Sequence, residues 1–293
     1  MRVLITGAGG FLGGALARRL AGRADTQVIA STRAAVDLTD AASIRRAVDE
    51  AAPDIVVHAA GRSYGAAQAV RDDNVTATAN LVEALEATAP AARLILLGSA
   101  AQYGVSQTCQ PWCESDPALP AGAYGAAKQA AEAQAFASGL RVTALRLFNV
   151  VSTSPQGEQV FDSFLRRAAA APAGRVRMGP LGAVRDFVAA DDVLAAIERV
   201  IDRAVWGETI NVCTGVGRTV RSLLEATAAA IPGGVRIEED DGPAGLPWSV
   251  GDPGRCEALL GLRPSSDMTS IVQGAAAWVV AQAKGGADAR SRA

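Results

Sequence analysis

Lysine is almost missing from this chain. Of 28 cationic side chains only two are lysines, Lys128 and Lys284; the rest are arginines. Histidine is scarcer, with His58 alone, and aromatic residues make up 4%. The four cysteines, Cys109, Cys113, Cys213 and Cys256, include one C-x3-C spacing but no second pair of ligands beside it, which argues against a metal site. They are expected as free thiols. Positive charge is not in excess: the net charge is -2, so neither nucleic acid nor an anionic membrane is indicated as a partner. No apolar run reaches the ~18 residues of a membrane span. The chain opens on the strand-like "RVLITG" rather than on a charged leader with an apolar segment, so a cytoplasmic location is expected.

What is present is a large apolar fraction, 49%, in 293 residues, enough for one large domain or two intimate ones at ~150 residues each. Short apolar runs "RVLIT" (2–6), "TQVIAS" (26–31), "DIVVHAA" (54–60), "RLILLGS" (93–99) and "RVTALRLF" (141–148) alternate with helical stretches at 11–21, 41–51, 74–88 and 124–137. Strands apolar throughout and separated by helices predict an α/β fold with a parallel sheet covered on both faces. After residue 150 the pattern loosens into turns and short helices, such as the one around "TVRSLLEATAAAI". The expected organisation is a dinucleotide-binding domain over 1–150, with parts of 180–215 returning to it. A smaller lobe follows, mainly over 151–283, against the carboxyl edge where such sheets bind ligands. The segment 284–293 reads as a fraying tail.

The first strand runs into "TGAGGFLGG", with glycines at 7, 10 and 13, and then into an apolar-periodic helix. Glycine lets backbone approach a ligand closely or adopt positive φ. The N–H groups at the start of the helix, around Phe11 and Leu12, would then face a phosphate. The spacing is G-x-x-G-x-x-G rather than G-x-G-x-x-G. An acidic residue after the second strand would hold the ribose hydroxyls of NAD; here stand Ser31, Thr32 and Arg33. A guanidinium and two hydroxyls suit a 2′-phosphate, which favours NADP(H) over NAD(H). Asp37 and Leu38 would reach the adenine side. Ala59, Ala60 and Gly61 end the third strand in small residues against which a cofactor can lie, and His58 reads as a packed strand residue.

The scarcity of lysine makes "AYGAAKQAAEAQ" (123–134) conspicuous. Tyr124 and Lys128 lie four apart, on one face of a helix otherwise rich in alanine. An incidental charge on a surface helix remains an alternative on this stretch alone.

Together, "TGAGGFLG", "HAAG", "DNVTATANLVEA", "GSAAQYG", "YGAAK", "LRLFNV", "RDFVAADDV", "GETINVCTG" and "DPGRCEALLGLRP" resemble the extended short-chain dehydrogenase/reductase superfamily, in its nucleotide-sugar epimerase/dehydratase branch. The resemblance covers nearly the whole chain. It implies a Rossmann-type doubly wound parallel sheet with a smaller C-terminal substrate-binding lobe. Tyr124 and Lys128 match the family's Tyr-x-x-x-Lys pair, which implies that Tyr124 exchanges a proton with the substrate oxygen. Lys128 would lower the phenol's pKa and bind the nicotinamide ribose. Ser99 matches the Ser or Thr that orients the same oxygen. Asn74 matches a position supporting the cofactor and the lysine. Asn149 and Arg185 match positions that grip the substrate's diphosphate, although Arg185 could instead pair with Asp186 or Asp191. Asp191 and Asp192 read as a helix start. The resemblance also implies a homodimer through a four-helix bundle built from the helices around 74–88 and 124–137.

Within the branch, dehydration needs an acidic pair after the Ser or Thr, and here Ser99 is followed by Ala100 and Ala101. The missing acid after strand two disfavours an NAD-retaining 4-epimerase. The expectation is an NADPH-dependent reductase of a nucleotide-linked 4-keto-6-deoxysugar. A 4-epimerase, or a catalytically silent nucleotide sensor of the same fold, stands as the alternative.

Overall fold

The computed structural model describes residues 1–171, 174–242 and 247–291, with side chains up to residue 283. From the N-terminus run β1 (Arg2–Thr6), α1 (Phe11–Ala21), β2 (Gln27–Ser31), α2 (Ala41–Ala51), β3 (Ile55–His58) and α3 (Ala67–Arg71). A π-helical turn (Asp72–Thr76) carries the chain from α3 into α4 (Ala77–Thr88). Next come β4 (Arg93–Ser99), a 3-10 turn (Ala100–Gln102), α5 (Ala123–Ala137) and β5 (Arg141–Leu147).

These strands form one parallel sheet in the order β2-β1-β3-β4-β5, completed at its far edge by a later strand (Thr209–Val212). The run of apolar residues along each strand is resolved by the two-residue period. On one face Val3, Ile5, Ile55, Val57, Ile95 and Leu145 pack with Leu16 and Leu20 of α1. On the other, Leu4, Val56, Leu94 and Leu96 pack with Ile44 and Val48 of α2 and Leu81 and Leu85 of α4. Both faces are covered, as a parallel sheet requires. The direction of chain progression reverses between β1 and β3, so a crevice opens at their carboxyl ends.

The second half contributes β6 (Asn149–Val151), α6 (Val160–Ala170), β7 (Arg175–Met178), β8 (Val184–Ala189), α7 (Ala190–Asp202) and β9 (Thr209–Val212). It continues with β10 (Gly217–Thr219), α8 (Val220–Ala230), β11 (Arg236–Glu239), β12 (Trp248–Ser249), α9 (Gly254–Leu260) and α10 (Thr269–Ser291). β9 supplies the sixth strand of the main sheet, while β8 holds β6, β10 and β12 around it in a smaller one. Its residues alternate between two cores: Val188 packs with the main sheet and Phe187 with Phe161, Phe164, Leu224 and Ile271 of the second lobe. The buried Asp186 between them accepts hydrogen bonds from Thr214 N, Thr214 Oγ1 and Gly215 N, at 2.7–2.9 Å, tying β8 to the loop after β9.

One expectation needs correction. The helix expected from 74 begins at Ala67 and passes through the π turn. There Asn74 Nδ2 donates to Val70 O, and Thr78 Oγ1 donates to Asn74 O. Side chains of this kind compete for carbonyls four residues back and widen a helix. Strands β6 to β12 were not read individually, apart from the motifs on β6, β8 and β9. "RVRM" alternates, with Val176 and Met178 buried between exposed arginines, but over only four residues, while "RIEE" has a single apolar residue and is a strand by its parallel pairing to it. The last helix, α10, runs to Ser291; residues 292–293 lie outside the described residues.

Candidate active site

At the crevice the loop after β1 meets the loop after β3. Gly7 has φ +71°, and a Cβ there would stand 2.6 Å from Ala60 N. Only glycine allows this approach. Gly13 serves a different contact: its missing Cβ would lie 2.4 Å from Gly7 O, so α1 packs directly on the loop. The N-cap of α1, Gly10, is extended and offers no side-chain cap, which leaves the first N–H groups of α1, an 11-residue helix, free for an anion.

Two hollows share this floor. One, of about 410 Å³, runs from Gly7 and Gly10 past Ser31, Thr32 and Arg33 to Asp37 and Leu38. The other, of about 460 Å³, runs from Phe11 and Leu12 to Leu97, Tyr124 and Lys128, with Gln156 and Gly157 of the second lobe across from them. Both include Gly10, Ala59, Ala60 and Gly61. The pair therefore forms one elongated trough with a phosphate-compatible helix start at its middle, which fits a dinucleotide laid across the sheet edge.

The inner end of the trough holds the polar groups. Lys128 is 8% exposed and donates through Nζ to Leu97 O at 2.9 Å, with two further N–H groups to spare. Burial pushes its amine down to about 8. Asn74, 1% exposed, donates to Arg62 O and Val70 O, but its Oδ1 has no partner. A Cβ on Gly61 would lie 2.6 Å from that oxygen and 3.1 Å from Lys128 Nζ. A bare glycine thus sits under a spare ammonium and an unsatisfied acceptor, which is a place for ligand hydroxyls. Ser99 is the polar side chain that acts on the Tyr124 phenol. Burial holds the phenol above its ordinary value, against the opposing effect of Ser99, so it is protonated at neutral pH.

The NAD dependent epimerase/dehydratase family model matches residues 3–213, which takes in this trough and its floor. The chain belongs to that family. The dTDP-6-deoxy-L-talose 4-dehydrogenase (NAD(P)(+)) of Kitasatospora kifunensis is 32% identical over 76% of this chain and 77% of its own. The GDP-6-deoxy-D-mannose reductase of Pseudomonas aeruginosa is 30% identical over 78% and 79%. Among solved structures, that of RMD from Pseudomonas aeruginosa complexed with NADPH matches at a TM-score of 0.85 and 26% identity, over 97% of this chain and 99% of that one. A nicotinamide dinucleotide is the cofactor of this family of oxidoreductases.

Seen with the family in view, the remaining candidates divide. Arg33 stands 70% exposed at the outer hollow, paired with Asp73 at 2.8 Å. Asp73 also takes Arg62 at 2.6 Å; nothing in the sequence ties Asp73 to Arg33 forty residues earlier, or Arg62 to either. Asn149 and Arg185 lie apart from both hollows, on the paired strands β6 and β8. Arg185 donates to Val184 O, and burial holds its guanidinium below the usual value. Among the described residues no carboxylate pairs with it; Asp186 is engaged elsewhere and Asp191 lies 4.0 Å from Arg19. His58 is buried between Thr6 and Thr78, with its ring pushed down to about 3, a packed neutral residue. The four cysteines are free.

Burying Lys128 should tax stability. An amine whose pKa falls from 10.5 to about 8 on folding binds fewer protons in the native state than in the unfolded state between those values. The penalty is complete below pH about 8 and is relieved as pH rises toward 10.5. Lys128→Met is therefore expected to stabilise the unliganded protein at pH 7 by about 1–3 kcal/mol. That gain should vanish near pH 10.5. Urea melts at both pH values check it; destabilisation of equal size at both would contradict it.

Proposed function

We propose that the enzyme reduces the 4-keto group of a nucleotide-linked 4-keto-6-deoxysugar with NADPH. The observation that carries this reading is the protonated Tyr124, its phenol influenced by Ser99, one helical turn from the buried Lys128 at the inner end of a dinucleotide-shaped trough. When bound, the reduced nicotinamide supplies the hydride that adds to the carbonyl carbon. Tyr124 gives its proton to the carbonyl oxygen, converting C=O to CH–OH. Ser99 hydrogen-bonds that oxygen and fixes its orientation. Lys128 holds the cofactor ribose through its spare N–H groups and stabilises the phenolate that proton donation leaves behind. Asn74 supports the same ribose and the lysine. Gly7, Gly10, Phe11 and Leu12 take the pyrophosphate, Asp37 and Leu38 the adenine side, and Ala59 to Gly61 the floor.

A net reductase needs an acid in its protonated form at the start of each turnover, and burial keeps Tyr124 so. Ala100 and Ala101 supply no groups for removing water from the sugar. The talose 4-dehydrogenase and mannose reductase similarities support chemistry at C4 of a 6-deoxysugar. For the nucleotide diphosphate, the half-buried Arg185 without a carboxylate partner, and Asn149 on the neighbouring strand, are the recognition groups. NADPH is preferred through Ser31, Thr32 and Arg33, with Arg33 moving from Asp73 to the 2′-phosphate. In the same reading the protein is a homodimer joined through α4 and α5, where α5 presents the exposed Phe136.

Tyr124→Phe keeps the ring and removes the proton. Turnover of NADPH with GDP- or dTDP-linked 4-keto-6-deoxyhexoses is expected to fall by roughly 10²–10⁴, with NADPH affinity little changed. A folded, fully active Tyr124→Phe would refute the role given to the tyrosine.

Arg33→Asp is expected to weaken NADPH roughly tenfold to a hundredfold and NADH far less, the loss of one charge-assisted contact. Fluorescence titration with both cofactors measures this, and equal weakening of the two would remove the basis for preferring NADPH.

A further inference from the structure

Among the described residues, a heavily buried charge network lies behind Ser99. Glu132, one turn beyond Lys128 on α5, forms an ion pair with Arg146 of β5 at 2.6 Å, with both side chains nearly inaccessible. Its second oxygen, Oε2, accepts from Gln102 Nε2 at 2.8 Å. Gln102 in turn accepts from the Ser99 backbone N–H through Oε1 at 2.9 Å. Ser99 Oγ accepts from Ala101 N at 3.2 Å, which fixes the hydroxyl as an acceptor on one side and leaves its own proton free. One chain of bonds thus runs from the helix bearing Tyr124 and Lys128, through Gln102, to the backbone of Ser99.

Two glycines make room for it. A Cβ on Gly98 would stand 3.0 Å from Gln102 Oε1 and 3.3 Å from Glu132 Oε2. A Cβ on Gly125, beside Tyr124, would meet Ala101 O at 2.3 Å. The helix therefore rests directly on the turn that follows Ser99, with Gln102 spanning the same junction. Arg146 is held from its other side by the face of Tyr103, 4.9 Å away, so Glu132 has little freedom to swing. An ion pair alone would need only Arg146 and Glu132; the side-chain amide that reaches from it to Ser99 adds geometry rather than charge.

We propose that Gln102, anchored on Glu132, is a positioning residue for the reduction, and that it sets the distance and direction of the Ser99 hydroxyl relative to Tyr124. This rests on the reading of Ser99 and Tyr124 as the pair that handles the carbonyl oxygen. Gln102 touches neither substrate nor cofactor in that reading; it acts through Ser99.

The test is a double-mutant cycle of Gln102→Met, close in shape, and Ser99→Ala. Turnover is measured with the 4-keto-6-deoxyhexose nucleotides above, and the Tyr124 titration is followed by NMR on protein labelled at tyrosine Cζ. With three tyrosines in the chain, Tyr124→Phe assigns the signal. Gln102→Met is expected to lower kcat roughly tenfold to a hundredfold, the scale of a small misplacement of a reacting group. NADPH affinity should change less than about twofold, since Gln102 lies off the trough. The double variant should be no slower than Ser99→Ala. Gln102→Met is also expected to raise the Tyr124 pKa, as is Ser99→Ala, because either change weakens the influence of Ser99 that lowers it.

If Gln102→Met does not fold, Gln102→Glu replaces it. Its new carboxyl faces that of Glu132, which is also held by Arg146, so the two must share a proton for the bridge to form. Turnover should then recover at low pH and fall as pH rises, relative to wild type. Wild-type kcat in Gln102→Met, losses that multiply independently in the double variant, or an unmoved Tyr124 titration would overturn the proposal. If Ser99→Ala itself leaves kcat unchanged while the tyrosine titration responds to both variants, the positioning stands and the catalytic reading of Ser99 fails.

Discussion

The contact between Gly7 and Ala60 is the constraint on which the site depends. Chain progression parts at β1 and β3, and the two loops leaving those strands touch backbone to backbone. That contact forms a low, side-chain-free floor with the start of α1 facing it. A methyl group at Gly7 would separate the loops, and one at Gly13 would lift the helix off the turn. The sheet supplies rigidity beneath the floor, since both of its faces are packed with aliphatic side chains. The trough is thus a consequence of topology and of missing Cβ atoms, before any polar group acts.

The polar groups are then placed against their own stability. Lys128 is charged yet almost wholly buried, Asn74 keeps an unpaired oxygen, and a π turn interrupts the helix at that asparagine. Each is unfavourable in the empty protein, and each faces the glycine floor. Buried acceptors without partners are uncommon, and π turns gather at functional positions. Their convergence on one end of the trough distinguishes this arrangement from an ordinary surface helix with a stray lysine. The buried Glu132–Arg146 pair and the Gln102 bridge hold that helix against β4 and β5 while these costs are borne.

The parallel sheet was readable because its strands are apolar on both faces and its helices periodic. β4, α1 and α2 have the bounds expected from sequence. The glycine loop, Tyr124, Lys128 and Ser99 were visible as exceptions: glycines before a helix, one lysine in a chain of arginines, a polar end to an apolar strand. The residues that organise them were not. Asp73 meets Arg33 across 40 positions, and Gln102 reaches Glu132 across 30, each inside a stretch that reads as ordinary helix or turn. Side-chain bonds between distant segments leave no periodic trace. Some small strands of the second lobe, such as β11, escaped for a similar reason: pairing, not composition, makes them strands.

The most direct test of keto reduction follows the hydride. NADPH carrying deuterium at C4 of the nicotinamide, on the transferred face, should be consumed in step with product when a GDP- or dTDP-linked 4-keto-6-deoxyhexose is supplied. Mass spectrometry and proton NMR should find one deuterium at C4 of the reduced sugar. A sugar interconverted with no net loss of NADPH, or a reduced sugar without deuterium at C4, would contradict it.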